Sequence, residues 1–343
     1  MRATPAYVPG EQPSPGARII KLNTNENPYP PSPRVLEAMR QGVAESLRLY
    51  PDPDATALRQ RAAMVYGVPL DGILVGNGSD ELLSLLVRAA VDPGRSVAYP
   101  VPTYSLYRTL VALQDACAIE VPYADDWSLP PALARAGAPL TLLCNPNAPS
   151  GTFVPIAQVA ALAGTVSGLL VVDEAYVDFA ADHALGLLAA HPNVVVLRTL
   201  SKSFSLAGLR VGLAFGHPEV IDGLRTLKDS YNVSRLTQLG AEAALADLPA
   251  MQRNVERIRA TRAALTAALE ALGFAVPPSE ANFVLARRAG RPMAPVAAAL
   301  AARGILVRHF AVPGLDDALR ITVGTDDEVG ALLAALRDVC PPS

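Results

Sequence analysis

Any chemistry that needs a side-chain primary amine has three candidates in this sequence, Lys21, Lys202 and Lys228, because arginine supplies the rest of the positive charge. Lys202 stands in RTLSKSFSLAGLRVG (198–212), directly after the apolar run VVVLRT, with the hydroxyls of Thr199 and Ser201 and the cation of Arg210 close in sequence. A lysine amine with its ordinary pKa of ~10.4 is a poor nucleophile. Desolvation or a neighbouring cation favours the neutral form. Hydroxyls beside an arginine also match the oxygens of a phosphate monoester. A second cluster, VVDEAYVDF (171–179), puts Asp173 where an apolar run leaves the core, with Tyr176 three residues on. A carboxylate buried there is costly unless it meets a cation, such as a protonated ligand nitrogen. An aspartate that only caps the next turn has the same pattern. A third cluster, GNGSDELL (76–83), joins the glycine turn Gly76–Gly78 to a helix opening with Ser79 and Asp80. The unpaired N–H groups and positive dipole end of such a helix suit an anion, although an ordinary capped helix looks alike. A lysine beside a phosphate site, with an aspartate on a neighbouring strand, matches what pyridoxal 5'-phosphate requires. The amine forms the Schiff base and the carboxylate keeps the pyridine nitrogen protonated.

These clusters must be carried to one edge of a common scaffold. Apolar runs that read as buried strands are ILV (73–75), SVAY (96–99), AIEVPY (118–123), LTLLC (140–144), GLLVVD (168–173), VVVLRT (194–199) and VGLAFG (211–216). Between them, residues 79–91, 102–113, 155–164 and 217–229 have helical spacing. The alternation predicts an α/β fold with a mostly parallel central sheet covered by helices on both faces. Ligands of such sheets bind at the carboxyl ends of the strands. Residues 1–33, rich in Pro, Asn and Gly, read as an ordered N-terminal arm, neither strand nor helix. After about residue 235 the pattern predicts a long helix (235–272), a second helix (292–303), strands at ILVRHF and ALRITVG, and a last helix from Asp326 or Asp327. The expected division is the arm (1–33), a large cofactor-binding domain (34–234) and a smaller α+β C-terminal domain (235–343).

The composition excludes several other classes. The 343 residues are 51% hydrophobic and 18% charged, with a formal net charge of −3. Without a basic face, nucleic-acid binding or a polybasic membrane-surface role is not expected. Mean hydropathy is +0.26, yet no apolar run is long enough to span a bilayer. The start, MRATPAYVPGEQP, has no signal-peptide core. Cys117, Cys144 and Cys340 are too scattered for a disulfide framework or a metal cluster, and the four histidines form no zinc pattern. The expectation is a cytoplasmic enzyme without a metal.

In order, GNGSDE, PVPTY, NPNAPSG, VVDEAY and SKSFSLAGLRVG resemble the fold-type-I pyridoxal-phosphate aminotransferases of class I/II. YVPGEQP, LNTNENPYPPSP, LYPDPDATALR and ALRITVGT narrow the resemblance to the histidinol-phosphate aminotransferases. It runs from Tyr7 to Thr325, and its specificity lies in the order and spacing of the whole set. The resemblance implies that Lys202 binds the cofactor covalently and then moves protons as general acid and base. It implies that Asp173 pairs with the ring N–H, that Tyr176 donates to the phenolic oxygen O3′, and that Tyr104 stacks on the ring. Gly78, Ser79 and Asp80 at the glycine turn, with Thr199, Ser201 and Arg210, would surround the phosphate. Tyr50 would reach the phosphate of the neighbouring subunit, making the active unit a homodimer. Arg320 and Arg308 would grip the anionic ends of substrates, and Tyr7 and Asn25 would close over them. The implied partners are a small-molecule amino donor and a 2-oxo acid.

One position departs from the pattern. The family usually reads NPNNPTG, and the asparagine before the second proline bonds O3′; here that position is Ala148. Either O3′ relies on Tyr176 alone, or Asn147 reaches it through a shifted loop. Rival readings within the resemblance are an aromatic amino-acid aminotransferase and a threonine-phosphate decarboxylase. A Rossmann oxidoreductase is disfavoured because no GxGxxG follows the first strand. A non-catalytic, cofactor-binding regulator would need an added DNA-binding domain, for which 343 residues leave no room.

Overall fold

In chain order the elements are β1 (Ile20–Leu22), α1 (Pro33–Gly42), α2 (Thr56–Tyr66), β2 (Ile73–Gly76), α3 (Ser79–Ala90), β3 (Ser96–Val101), α4 (Leu106–Leu113), β4 (Cys117–Pro122), β5 (Leu140–Cys144), α5 (Ile156–Ala163), β6 (Leu169–Asp173), β7 (Val194–Thr199) and β8 (Gly212–Gly216). They continue with α6 (Pro218–Leu227), α7 (Arg235–Leu245), α8 (Leu248–Ala271), β9 (Phe283–Arg287), α9 (Ala294–Ala301), β10 (Ile305–His309), β11 (Ala318–Thr322) and α10 (Asp326–Val339). The structure, a computed structural model, describes residues 10–12, 19–312 and 314–341. No helix among them is long and apolar enough to cross a membrane.

Each apolar run of the first two-thirds of the chain is a strand of one seven-stranded sheet, ordered β2-β8-β7-β6-β5-β3-β4. Only β8 runs against its neighbours β2 and β7, so the sheet is mostly parallel. Strand side chains alternate between faces, and the alternation is visible in the core. Leu142, Val171, Val195 and Leu197 pack in one apolar cluster with α3, α4 and α8. Leu143, Leu170, Val172, Val194 and Val196 pack in another with α2, α5 and α7. Burying both faces removes these aliphatic side chains from water at roughly 1.5–3 kcal/mol each. The register lines up the functional ends: Asp173 stands beside Cys144 and Leu197, while Gly212 is opposite both Thr199 and Gly76. The carboxyl ends of β2, β5, β6 and β7 therefore share one edge with the start of β8.

A second sheet, ordered β1-β10-β11-β9, holds one departure from the sequence reading, and the helices before it hold another. Residues 20–22 of the arm form a strand, parallel to β10 and paired with residues 305–307. Three residues are too few to declare themselves by alternation, and their partner is nearly three hundred residues away. The long helix expected at 235–272 is two helices, α7 and α8, because Pro249 sits in the first turn of α8, where a missing N–H and a fixed φ start a helix rather than continue one. The last helix begins at Asp326, fixed by a capping box between Thr325 and Glu328.

Candidate active site

Lys202 follows β7 by three residues, and its carbonyl accepts from Asn27 Nδ2 at 2.9 Å. Its ammonium lies 3.5 Å from the Thr24 carbonyl and 5.8 Å from the centre of the Tyr176 ring. Burial, reinforced by the Arg320 cation, lowers its pKa to about 8. Asp173, the last residue of β6, is 2% exposed. Its Oδ2 accepts from the Tyr107 hydroxyl at 2.9 Å, and its buried Oδ1 meets no hydrogen-bond partner. Burial pushes the carboxyl up to about 6, against the Tyr107 hydrogen bond. A buried, unanswered carboxylate oxygen calls for a proton donor or a cation.

Behind these two residues a polar network ties the strands together. Glu174, next to Asp173, lies 3.0 Å from Arg198, which also meets Asp178 at 3.4 Å. Asp178 in turn accepts from Ser203, the residue after Lys202.

The third cluster is a tight glycine turn closed by Arg210. Gly78 adopts φ +80° as the cap residue of α3 and provides no side chain to satisfy the first N–H groups. A Cβ at Gly78 would come within 2.6 Å of Arg210 Nη2, and one at Gly212 within 2.5 Å of the Ser79 nitrogen. Gly212 is required by its approach to backbone, and Gly78 by its left-handed φ, since the arginine end facing it could move aside. Arg210, itself in left-handed backbone at φ +55°, donates to Asp80 Oδ2 at 2.9 Å, while Tyr104 donates to Asp80 Oδ1 at 3.1 Å. Asp80 thus orients the cation and the aromatic ring instead of offering its own charge to an anion. The Thr199 hydroxyl oxygen lies 2.9 Å from Ser201 Oγ and 3.0 Å from the Val211 carbonyl, at the same edge.

The second sheet supplies the arginines. Arg308 of β10 and Arg320 of β11 are directly opposite one another in the antiparallel pair and share a face. Both guanidinium carbons lie 5.5 Å from the Phe310 ring centre, and that of Arg320 lies 5.3 Å from Phe283. Phe283 meets Tyr176 edge-to-face at 5.0 Å, so the arginine strand and the Tyr176 segment share one aromatic contact.

The remaining expected residues divide. Asn147, the alternative to the asparagine missing at Ala148, is engaged within its own turn. Its Oδ1 accepts from Thr103 at 2.8 Å, and its two amide protons go to the Pro102 carbonyl (3.2 Å) and Ser150 Oγ (2.9 Å). Both amide protons are thereby spent on holding that turn. Asn25 is at the site, but its amide donates to the Tyr176 hydroxyl at 3.0 Å. Tyr50 is 75% exposed and stacks on Tyr231 at 4.3 Å. Tyr7 lies outside the described residues. Sequence reasoning passed over Tyr107, whose spacing of three from Tyr104 in PTYSLYR puts both on one side of a helical turn. It also passed over Phe283, Phe310 and Thr322, for which only the fold brings distant segments together.

Residues 17–336 match the family described as aminotransferase class I and II. The chain is 47% identical over 340 residues to histidinol-phosphate aminotransferase 1 of Trichormus variabilis, across 99% of this chain and 97% of that protein. It is 47% identical over 333 residues to the histidinol-phosphate aminotransferase of Geotalea uraniireducens, across 97% and 96%. The crystal structure of histidinol-phosphate aminotransferase from Sinorhizobium meliloti in complex with pyridoxal-5'-phosphate superposes with a TM-score of 0.87 at 32% identity, covering 93% of this chain and 90% of that chain.

Proposed function

The chain belongs to the class I and II aminotransferases, and from that premise we propose that it transfers the amino group of L-histidinol phosphate to 2-oxoglutarate, giving imidazole acetol phosphate and L-glutamate, with pyridoxal 5'-phosphate as cofactor. The observation that carries the substrate class is the pair Arg308 and Arg320, opposite each other on β10 and β11. Two cations on one face suit a substrate whose end is a phosphate.

The residues present fit the cofactor. The unpartnered Oδ1 of Asp173 matches a ring N–H, and the side-chain-free cradle at Gly78, with Arg210 against it, matches a phosphate. When bound, pyridoxal phosphate supplies an aldehyde that takes up the amino group and a protonated ring that draws electrons from the reacting carbon. In this proposal Asp173 holds the ring proton, and the Gly78 and Ser79 amides, Thr199, Ser201 and Arg210 hold the phosphate. Tyr104 covers the ring face and Tyr176 donates to the phenolic oxygen. Lys202, partly neutral near pH 8 because it is desolvated, takes a proton from the substrate carbon and returns it one position away. Tyr50 of the partner subunit completes the phosphate site in a cytoplasmic homodimer.

Histidinol phosphate lacks an α-carboxylate, so its phosphate occupies the anion site that glutamate's α-carboxylate uses in the other half-reaction. Arg320 serves both halves, and Arg308 serves the phosphate or glutamate's distal carboxylate. Half-reactions followed by the bound-cofactor absorbance test this. Arg320→Ala should lower both by about tenfold to a hundredfold in kcat/KM, while Arg308→Ala should spare phenylalanine. A wild type preferring phenylalanine or tyrosine to histidinol phosphate would establish the aromatic-aminotransferase alternative instead.

A further inference from the structure

Asn25 is 1% exposed and sits at φ +55°, a left-handed backbone that asparagine tolerates better than most residues. Its N–H donates to Thr322 Oγ1 at 2.9 Å, and its carbonyl accepts from Asn282 Nδ2 at 3.0 Å. The Thr322 hydroxyl, already accepting from that N–H, gives its proton to Asn25 Oδ1 at 3.1 Å. Oδ1 is the acceptor that this hydroxyl proton finds among the described residues, and an amide turned to satisfy it presents Nδ2 on its other side. Asn25 Nδ2 therefore points at the Tyr176 hydroxyl, 3.0 Å away.

A phenol has one proton. Because the Asn25 amide can only donate, the Tyr176 oxygen accepts in this contact and its own proton is turned away from the arm. A donor on the oxygen also makes the hydroxyl a stronger donor in its turn. The charged and titratable groups around this hydroxyl are Arg320 from β11, Cys144 from β5 and Asp173 from β6, with Lys202 over the ring. With Asn147 engaged elsewhere and alanine at 148, Asn25 is the amide that the fold brings to this group.

We propose that Asn25 is a positioning residue that fixes Tyr176 as the hydrogen-bond donor to the cofactor's phenolic oxygen, a role distinct from contact with substrate. The inference rests on the cofactor reading above. In Asn25→Asp the acceptor for Thr322 is retained but the amide proton is lost, and the Tyr176 hydroxyl turns to donate to the new carboxylate. Asn25→Ala loses both contacts.

The test is the pH titration of the bound-cofactor absorbance in wild type, Asn25→Asp, Asn25→Ala and the same changes in a Tyr176→Phe background. Weaker donation to the phenolic oxygen should raise the midpoint by about half a unit or more in both single variants, roughly threefold in the protonation constant. In the Tyr176→Phe background Asn25→Ala should not move it further, while the carboxylate of Asn25→Asp acts there through its charge alone. A midpoint unchanged in Asn25→Asp, with the loss confined to thermal stability of Asn25→Ala, would make Asn25 a tether and overturn the inference alone. Equal Asn25→Ala shifts with and without the Tyr176 hydroxyl would also overturn it. A wild type that forms no absorbing complex with pyridoxal phosphate would overturn this inference together with the cofactor reading.

Discussion

Lys202 and Asp173 are perturbed in opposite senses by the same cause, the removal of water, and each shift makes its own prediction. The Lys202 amine, brought down to about 8 by burial and by Arg320, binds fewer protons folded than unfolded. Its burial cost is therefore relieved as pH rises from about 8 toward 10.5. Capture of pyridoxal phosphate by cofactor-free protein should accelerate through pH ~8 and then level off; a midpoint near ~10.4 would show a solvent-like amine. Reduction of the complex with borohydride should label the peptide holding Lys202, and label on Lys21 or Lys228 would remove it from this role. Asp173, raised to about 6, binds more protons folded than unfolded, so its contribution to stability falls as pH rises from 3.8 through 6. Tyr107→Phe removes the donor on Oδ2, leaves a second unsatisfied oxygen and should raise the carboxyl further. A loss of about 1 kcal/mol, roughly fivefold in cofactor affinity by fluorescence titration, is the expected outcome with the fold retained. Unchanged affinity would mean that Tyr107 is core packing only.

Elements position these groups through close approaches that leave no room for a methyl. The start of β8 lies so near the start of α3 that a Cβ on Gly212 would meet backbone, the Gly78 carbonyl carbon and the Ser79 nitrogen, each at 2.5 Å. Gly216, on the same strand, would place its Cβ no nearer than 3.4 Å to the Val195 side chain. Gly212→Ala should cost about 1–3 kcal/mol and weaken phosphate binding as α3 is displaced, whereas Gly216→Ala should be nearly neutral. Equal melting temperatures for the two would contradict the close packing of strand and helix. The strands around this junction were legible because β5, β6 and β7 are buried on both faces and so read as unbroken apolar runs. Their polar terminal residues, Asp173 and Thr199, were legible for the same reason. What escaped depends on distant partners. β1 becomes a strand only against β10, and Asn147 looks like a ligand until Thr103, Pro102 and Ser150 are seen to consume its amide. Periodicity also could not show that Ala246 and Asp247 separate two helices, since both flanks carry the same Ala-rich pattern.

At the scale of the molecule, the segment that carries Tyr50 exposes a run of apolar side chains. Val43, Leu47, Leu49, Tyr50 and Tyr231 are all exposed, an apolar patch of the kind that the proposed subunit interface would cover. The segment bearing Tyr50 is pinned in place: Arg235 donates to the Tyr50 carbonyl at 2.9 Å, Gln238 to that of Asp52 at 2.8 Å, and Lys228 to that of Pro53 at 2.9 Å. Asn232, next to Tyr231, accepts from Asn77 at 3.2 Å, so the patch runs up to the turn that precedes Gly78. A second copy seated there would bring its own Tyr50 to this edge, which is the homodimer proposed above. In a two-fold dimer each patch meets its equivalent, and each site would draw on both chains. Mixing inactive Lys202→Ala with impaired Tyr50→Phe then has a definite outcome. In a mixed dimer, the site that keeps Lys202 receives an intact Tyr50 from its partner, while the other site carries both defects. Free exchange at equal amounts makes half the dimers mixed, so about a quarter of all sites should recover wild-type activity. If Tyr50 served its own chain's phosphate, no mixed dimer would contain an intact site. Activity that never exceeds the average of the parents, despite demonstrated subunit exchange, would therefore remove Tyr50 from the partner's site.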